Sequence, residues 1–344
     1  MSLGLAVAAT ALAAGLTFAH AGPVVGFVSC AAALSLLAMM VGHGTDQLGS
    51  RLGPGATGVL QSALGNLPEL FVCIFALRAG LVHVVQAALV GSILANSLLV
   101  LGLAILVGGL KNGTQRFASE APRMVATMMM LAVAALAVPT LAAQLHTPAA
   151  AHATALSAAC AVVLLCVFAA SLPFSLRGDP AVVAGDDDPE APWPLWLAIA
   201  VLIGASVGAA FVSDWFVEAL SPAMASLGIS EAFSGLVVVA IAGNAVENVV
   251  GVQLAAANKP DYAMSVILNS SLQIALALVP VLVLVSVFIA PVPLTLVMPP
   301  LLVGALALTA VVSAFIVYDG ESIWLEGVAL IGLYGIIVSA FWWG

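Results

Sequence analysis

The sequence predicts an all-α polytopic membrane protein of about 11 transmembrane helices, each crossing taking about 20 residues. Only 23 of its 344 residues are charged, 7% of the chain, while 63% are hydrophobic. Soluble chains carry roughly 25% charged residues, so a water-soluble globule is excluded. The apolar runs are continuous over helix-length stretches and lack the roughly ten-residue alternation of a spanning barrel. They fill the chain and leave no room for a separate soluble domain.

Proline, glycine and the few charges serve as punctuation. They place spans near 3–20, 23–43, 54–79, 82–109, 121–142, 150–176, 194–213, 230–257, 260–287, 292–317 and 322–343. Ala19-His20-Ala21 resembles a signal-peptide cleavage site, yet residues 1–18 carry no basic side chain, so retention of residues 1–21 as a first transmembrane helix is favoured over removal. Loop charges give the orientation. Arg51, Lys111, Arg116, Arg123, Arg177 and Lys259 fall on the side of the N-terminus and only Arg78 on the other, which puts the N-terminus in the cytoplasm; the cytoplasmic (plasma) membrane is the expected location, although the charges do not choose among membranes.

Residues 177–192, with Asp179, Asp186, Asp187, Asp188 and Glu190, form an acidic cytoplasmic loop between a first half, 22–176, and a second, 193–344. Cys30, Cys73, Cys160 and Cys166 lie inside apolar runs without metal-type spacing and read as small core residues. The net charge of -9 and the lack of clustered Lys and Arg give no reason to expect a nucleic-acid partner. The bilayer itself is the expected surrounding.

The two halves look related. Residues 65–102, beginning Gly65-Asn66-Leu67-Pro68-Glu69, align without a gap on 243–280, beginning Gly243-Asn244-Ala245-Val246-Glu247. Eight of 38 positions are identical, and the weight rests on the polar ones: the glycine, the asparagine, the glutamate, and then Ser92 with Ser270, each 23 residues beyond its glutamate. The copies begin five crossings apart and therefore run in opposite directions, an inverted repeat whose site is expected at mid-membrane.

Glu69 and Glu247 lie well inside their spans, where a carboxylate costs about 2.5 to 3.5 kcal/mol on insertion scales and normally faces a cavity and a partner. Helical spacing would put Asn66 beside Glu69 and Asn244 beside Glu247. Gly65 and Pro68 weaken the third span at this point, with the corresponding break less certain at Gly243. The next helix of each copy adds Ser92 and Asn96 in one case and Asn269, Ser270, Ser271 and Gln273 in the other. Two carboxylates with amide, hydroxyl and backbone oxygens suit the six to eight oxygen ligands of Ca2+. Without thiol or imidazole, zinc and copper are poor candidates.

One Ca2+ or two protons would neutralise the pair equally well, so only loaded forms would cross, an exchange in which the two glutamates titrate as a coupled unit. No nucleophile, metal cluster or cofactor loop accompanies them, so neither an enzyme nor a bound cofactor is expected, and the ions are cargo.

The runs GNLPELFVCIFALRAG, GSILANSLLVLG, GNAVENVVGVQLAAANKPDYAMSVILNSSLQIAL and DGESIWLEGVAL resemble the cation/proton exchanger (Ca2+/H+ antiporter) branch of the Ca2+/cation antiporter superfamily. The likeness covers nearly the whole chain. It implies a sodium/calcium exchanger-like fold, two inverted five-helix halves after an extra N-terminal helix, with Glu69 and Glu247 at the ion-binding glutamates and Asn66, Ser92, Asn244, Ser270 and Gln273 in the same motifs. The chain departs from that pattern at Asn248, where the family has histidine, at Asn269, where it has glycine, and at Pro68, which is closer to the sodium/calcium branch. Exchange of Ca2+ for Na+ or a broader cation/proton antiport therefore stands beside Ca2+/H+ exchange, and a cation channel is the rival of another class.

Overall fold

In a computed structural model, the chain is described over residues 2–49, 51, 64–177 and 193–342, without the side chains of 2, 173–177, 246 and 247. The acidic loop, 178–192, lies outside the described residues. So do 52–63, most of the first part of the third expected span.

The described chain is helical almost throughout. Its helices are α1 (Ser2–Phe18), α2 (Pro23–Gly49), α3 (Leu67–Arg78) and α4 (Val82–Asn112). There follow α5 (Glu120–Gln144), α6 (Ala153–Arg177), α7 (Leu195–Leu227) and α8 (Glu231–Gly243). The last four are α9 (Ala245–Ala256), α10 (Pro260–Ile289), α11 (Pro300–Ile316) and α12 (Trp324–Trp342). Among the described residues seven helices are long and apolar enough to cross a membrane, or eight if the pair bent by 62° around Asn244 is one span; α1 and α11 are shorter apolar helices.

Three boundaries differ from the sequence expectation, the mildest being α2, which runs on to Gly49 past the expected 43. The span expected to stop at 213 runs on to Leu227, because a membrane-length count ends a helix where the bilayer does, whereas α7 continues through Asp214, Glu218 and Pro222. Gly228, in the left-handed region at φ 65°, closes it with its N–H on the Met224 carbonyl. The span expected from 292 begins at Pro300, since Pro291, Pro293 and Pro299 hold residues 290–299 out of a helix.

That non-helical segment is buried at Leu294, Leu296 and Met298, so its backbone needs partners. Side chains provide them. Gln86 Nε2 donates to the carbonyls of Thr295 and Val297, both at 2.9 Å. Thr140 Oγ1 donates to Leu296 O at 2.8 Å and accepts from Met298 N at 2.9 Å. Ser157 and Ser286 accept from Leu296 N and Leu294 N at 2.9 and 2.8 Å.

The helices sort into two compact units, neither of which is a sequence half. One gathers 1–76, 169–229 and 242–246; the other gathers 77–168, 230–241 and 247–344. In the first, α7 runs antiparallel along α2: Gly44 lies against Leu202, Gly208 against Leu37 and Gly26 against Ala219. Phe27 stacks on Phe216 with centroids 4.9 Å apart. In the second, α4 meets α8 through glycines on both sides. A Cβ on Gly91 would sit 2.5 Å from Leu236 Cα, and one on Gly235 2.8 Å from Ala87 Cβ, so only hydrogen fits there.

Loop contacts follow the crossing order. A two-residue antiparallel ladder joins β1 (Gln115–Arg116) to β2 (Glu321–Ser322), and Ala118 N donates to Asp261 at 2.7 Å. At the opposite end Ser230 Oγ donates to Phe341 O at 2.8 Å and Phe233 packs edge-on against Trp342. Within the first unit, Trp193 accepts from Arg51 through its carbonyl and donates its N–H to Gln47 Oε1. Each of these contacts joins segments that an alternating count of crossings puts on one side.

Candidate functional site

Both copies of the Gly-Asn-x-x-Glu motif break their helix at the asparagine. Gly65 and Asn66 form a turn before α3, and Asn244 forms a turn between α8 and α9. Glu69 is thus the third residue of α3, and Glu247 the third residue of α9. A carboxylate in the first turn faces the positive end of the helix dipole and needs less neutralisation than one in mid-helix. The sequence reading put each asparagine on the same helical face as its glutamate; instead Asn66 and Asn244 sit in the turns, where the carbonyl of Asn66 accepts the Leu70 N–H at 2.9 Å and opens α3. Pro68, second in α3, costs nothing there, because a first-turn N–H has no partner within the helix.

The expected weakness of the second break is corrected by its outcome: Asn244 interrupts the helix without a proline. Asn66 and Asn244 are buried, and Glu69 is fully so. Within the first unit the two motifs touch. A Cβ built on Gly243 would lie 3.3 Å from Glu69 Cβ and 3.5 Å from its Cγ, so the first-copy glutamate rests directly on the second-copy glycine. The Glu247 side chain lies outside the described residues.

The hydroxyls and amides of the helices that follow each motif belong to the second unit. Ser92 on α4 is fully buried. One turn on, Asn96 Nδ2 donates to Ser270 Oγ of α10 at 2.9 Å, joining two residues that the sequence singled out separately. Asn269 turns back on its own helix, donating to Ser265 O at 2.8 Å and Ser265 Oγ at 3.2 Å, a local role that residue type alone does not reveal. Gln273 is half-buried.

Both helices change winding here: α4 is a π-helix over Ala95–Val100 and α10 over Ile274–Leu278. The 178-residue offset that aligns the glutamates carries 95–100 onto 273–278, so these two segments coincide within a residue; a third π-segment, Ser234–Val239 of α8, corresponds to 56–61, outside the described residues. Well under 1% of residues are π-helical, and such turns favour functional sites.

Sequence reasoning did not single out Ser97, which the structure places beside these residues. Its Oγ lies 2.9 Å from Ser271 Oγ, and both hydroxyls are buried. Under the repeat offset Ser97 aligns with Ala275, so a search for matching polar residues passes over it, whereas Ser271 was singled out beside Ser270 although it aligns with Ile93. The available signal for Ser97 was adjacency: it follows Asn96, which does stand out. Among the described residues no three His, Cys, Asp or Glu side chains cluster as a metal centre. The donor set is amide, hydroxyl and carboxylate oxygen, suited to a hard cation rather than to zinc or copper.

The pattern of the sodium/calcium exchanger protein family matches the chain twice, over residues 22–177 and again over 197–343. The chain is 37% identical over 337 residues to a Ca(2+)/H(+) antiporter of Synechocystis sp., covering 92% of this chain and 90% of that one. It is 34% identical over 317 residues to the Ca(2+)/H(+) antiporter ChaA of Bacillus subtilis, covering 89% and 88%. The solved structure of native YfkE superposes with a TM-score of 0.86 over 99% of both chains at 29% identity. A helical membrane fold with the motif broken in both halves, matched twice by one family pattern, identifies the chain as a member of the sodium/calcium exchanger protein family.

Proposed function

We propose that this protein is a secondary active antiporter that exchanges Ca2+ for protons across the cytoplasmic membrane by alternating access, with its N-terminus inside. The relatives named above support the ions. In this reading the chain makes eleven crossings, a first helix at 1–21 followed by two inverted five-helix halves at 22–176 and 193–344 joined by the acidic cytoplasmic loop 177–192. The twofold family match, the twin breaks at Asn66 and Asn244 and the coincident π-segments all favour the repeat. Ca2+ and protons are cargo, and no cofactor takes part.

The observation that carries the site is the packing of Glu69 on Gly243. Gly243 lies four residues before Glu247, so the first-copy carboxylate reaches the motif that bears the second. Glu69 and Glu247 form a single berth in this reading. Asn66, Asn244, Ser92, Asn96, Asn269, Ser270 and Gln273 supply further oxygens or orient those that do.

The coupling follows from charge. Two carboxylates closed off from water without a counter-charge are prohibitive, whereas one Ca2+ or two protons brings their net charge to zero. The empty, doubly ionised form therefore stays open to one side, and exchange is obligatory.

Ca2+ uptake into everted vesicles tests this directly. An imposed proton gradient, acid inside, drives uphill Ca2+ accumulation in the wild type, and Glu69→Gln or Glu247→Gln abolishes it. A variant that still exchanges refutes the site; accumulation driven by a Na+ gradient instead refutes the counter-ion; passive flux that cannot be driven uphill identifies a channel.

A further inference from the structure

We propose that Ser97, Ser271 and Ser313 are positioning residues for the cation site, a buried hydroxyl clasp that fixes the helices bearing Ser92 and Ser270 in register; the inference rests on the site reading above. Ser97 and Ser271 lie one residue beyond Asn96 and Ser270 on the same two helices, so two cross-links stand side by side. Asn96 Nδ2 donates to Ser270 Oγ, and the two serine hydroxyls meet, each at 2.9 Å. All four side chains are at most 5% exposed.

The first link occupies one lone pair of Ser270 and limits the directions in which its remaining lone pair and proton can point. The second means that α4 and α10 cannot slide past each other without parting two buried hydroxyls; that of Ser271 keeps its contact to the Ile267 carbonyl of its own helix at 3.4 Å, whereas that of Ser97 loses its link to α10.

Ser313 on α11 holds the π-turn itself. The N–H of Leu101 reaches back five residues to Asn96 O. Ser97 O is the next carbonyl along the same π-segment. Ser313 Oγ donates to it at 3.3 Å. Ser97 is thus tied through its side chain to the second copy and through its carbonyl to α11. A simple packing contact between α4 and α10 would require no such bond from a third helix.

The test measures Ca2+/H+ exchange in everted vesicles for Ser97→Ala, Ser271→Ala, the double variant, Ser313→Ala and Ser97→Thr, with protein amount and melting temperature measured on the same preparations. Each alanine variant raises the KM for Ca2+ about fivefold or more while the maximal rate per molecule stays within about twofold. The double variant is no worse than the worse single, because both singles remove the same bond. Ser97→Thr, which keeps the hydroxyl, stays near the wild-type KM and decides the matter should an alanine variant fail to fold. An unchanged KM with a lowered melting temperature overturns the proposal, as do additive effects in the double variant or a Ser97→Thr variant as impaired as Ser97→Ala. Wild-type vesicles that show no Ca2+/H+ exchange would instead sink the functional reading, and the clasp with it.

Discussion

Gly243→Ala isolates the contact between the two motifs without altering a charge. The new methyl carbon would lie 3.3 Å from Glu69 Cβ and 3.5 Å from Glu69 Cγ. Comfortable carbon–carbon contact is about 3.5 to 4.0 Å, so Glu69 Cβ must retreat by roughly 0.5 Å. Rotation of the side chain cannot relieve this, because Cβ is fixed by the backbone of α3. Overpacking of this kind costs about 1 to 3 kcal/mol. If roughly half falls on the ion-loaded state, Ca2+ binding weakens by about 0.5 to 1.5 kcal/mol, a roughly two- to twelvefold rise in KM. The assay is Ca2+ uptake into everted vesicles at a fixed proton gradient, with the amount of monodisperse protein measured by gel filtration. A variant present at wild-type level with unchanged KM would refute the claim that Glu69 is seated on Gly243 during transport.

Other outcomes follow from the packing. Gly91→Ala would drive its Cβ to 2.5 Å from Leu236 Cα, a backbone atom that cannot rotate away, so α4 and α8 separate and the melting temperature falls by several degrees or the protein fails to accumulate. Thr140→Val strands both a buried N–H, that of Met298, and a buried carbonyl, that of Leu296, at about 1 to 3 kcal/mol each; thermal unfolding should show it more destabilised than Ser157→Ala, which strands one N–H. Arg116→Ala breaks an ion pair of 3.1 Å whose side chains are 77% and 50% exposed, and melting in physiological salt should barely change.

Much of the fold was legible because the bilayer simplifies the rule: a backbone in hydrocarbon must satisfy itself, so a long apolar run is a helix. That argument locates α1, α2, α4, α5, α6, α10 and α12 from hydropathy and punctuation alone. It misplaces the end of α7 and the start of α11, where other forces act. Pro291, Pro293 and Pro299 forbid a helix, and three polar side chains from distant segments, with Ser286 from the end of α10, make a buried non-helical segment tolerable. No hydropathy window registers Gln86 or Ser157 as the partner of a backbone group some 140 to 210 residues away.

The candidate site divides in the same way. Glu69 and Glu247 stand out in sequence because a carboxylate is rare in an apolar run, and their register with Ser92 and Ser270 is visible by counting. Where a helix breaks depends on local strain and can be guessed at Gly65 and Pro68, yet the break at Asn244 has no comparable signal. That Asn96 bonds Ser270 and that Ser97 meets Ser271 depends on which faces of α4 and α10 oppose each other. Side-chain spacing along one helix fixes a face but not its neighbour, and the extra residue in each π-turn rotates that face beyond what a 3.6-residue count predicts.

The sequence by itself thus determined the membrane, the crossings that hydropathy marks, the doubled motif and the acidic pair, because burial in lipid and residue rarity act position by position. The tertiary structure alone decided that Glu69 rests on Gly243, that Asn269 turns to its own helix and that three serines form a clasp. Those are contacts between distant segments, and their energies depend on separations of a few tenths of an ångström that no linear pattern encodes.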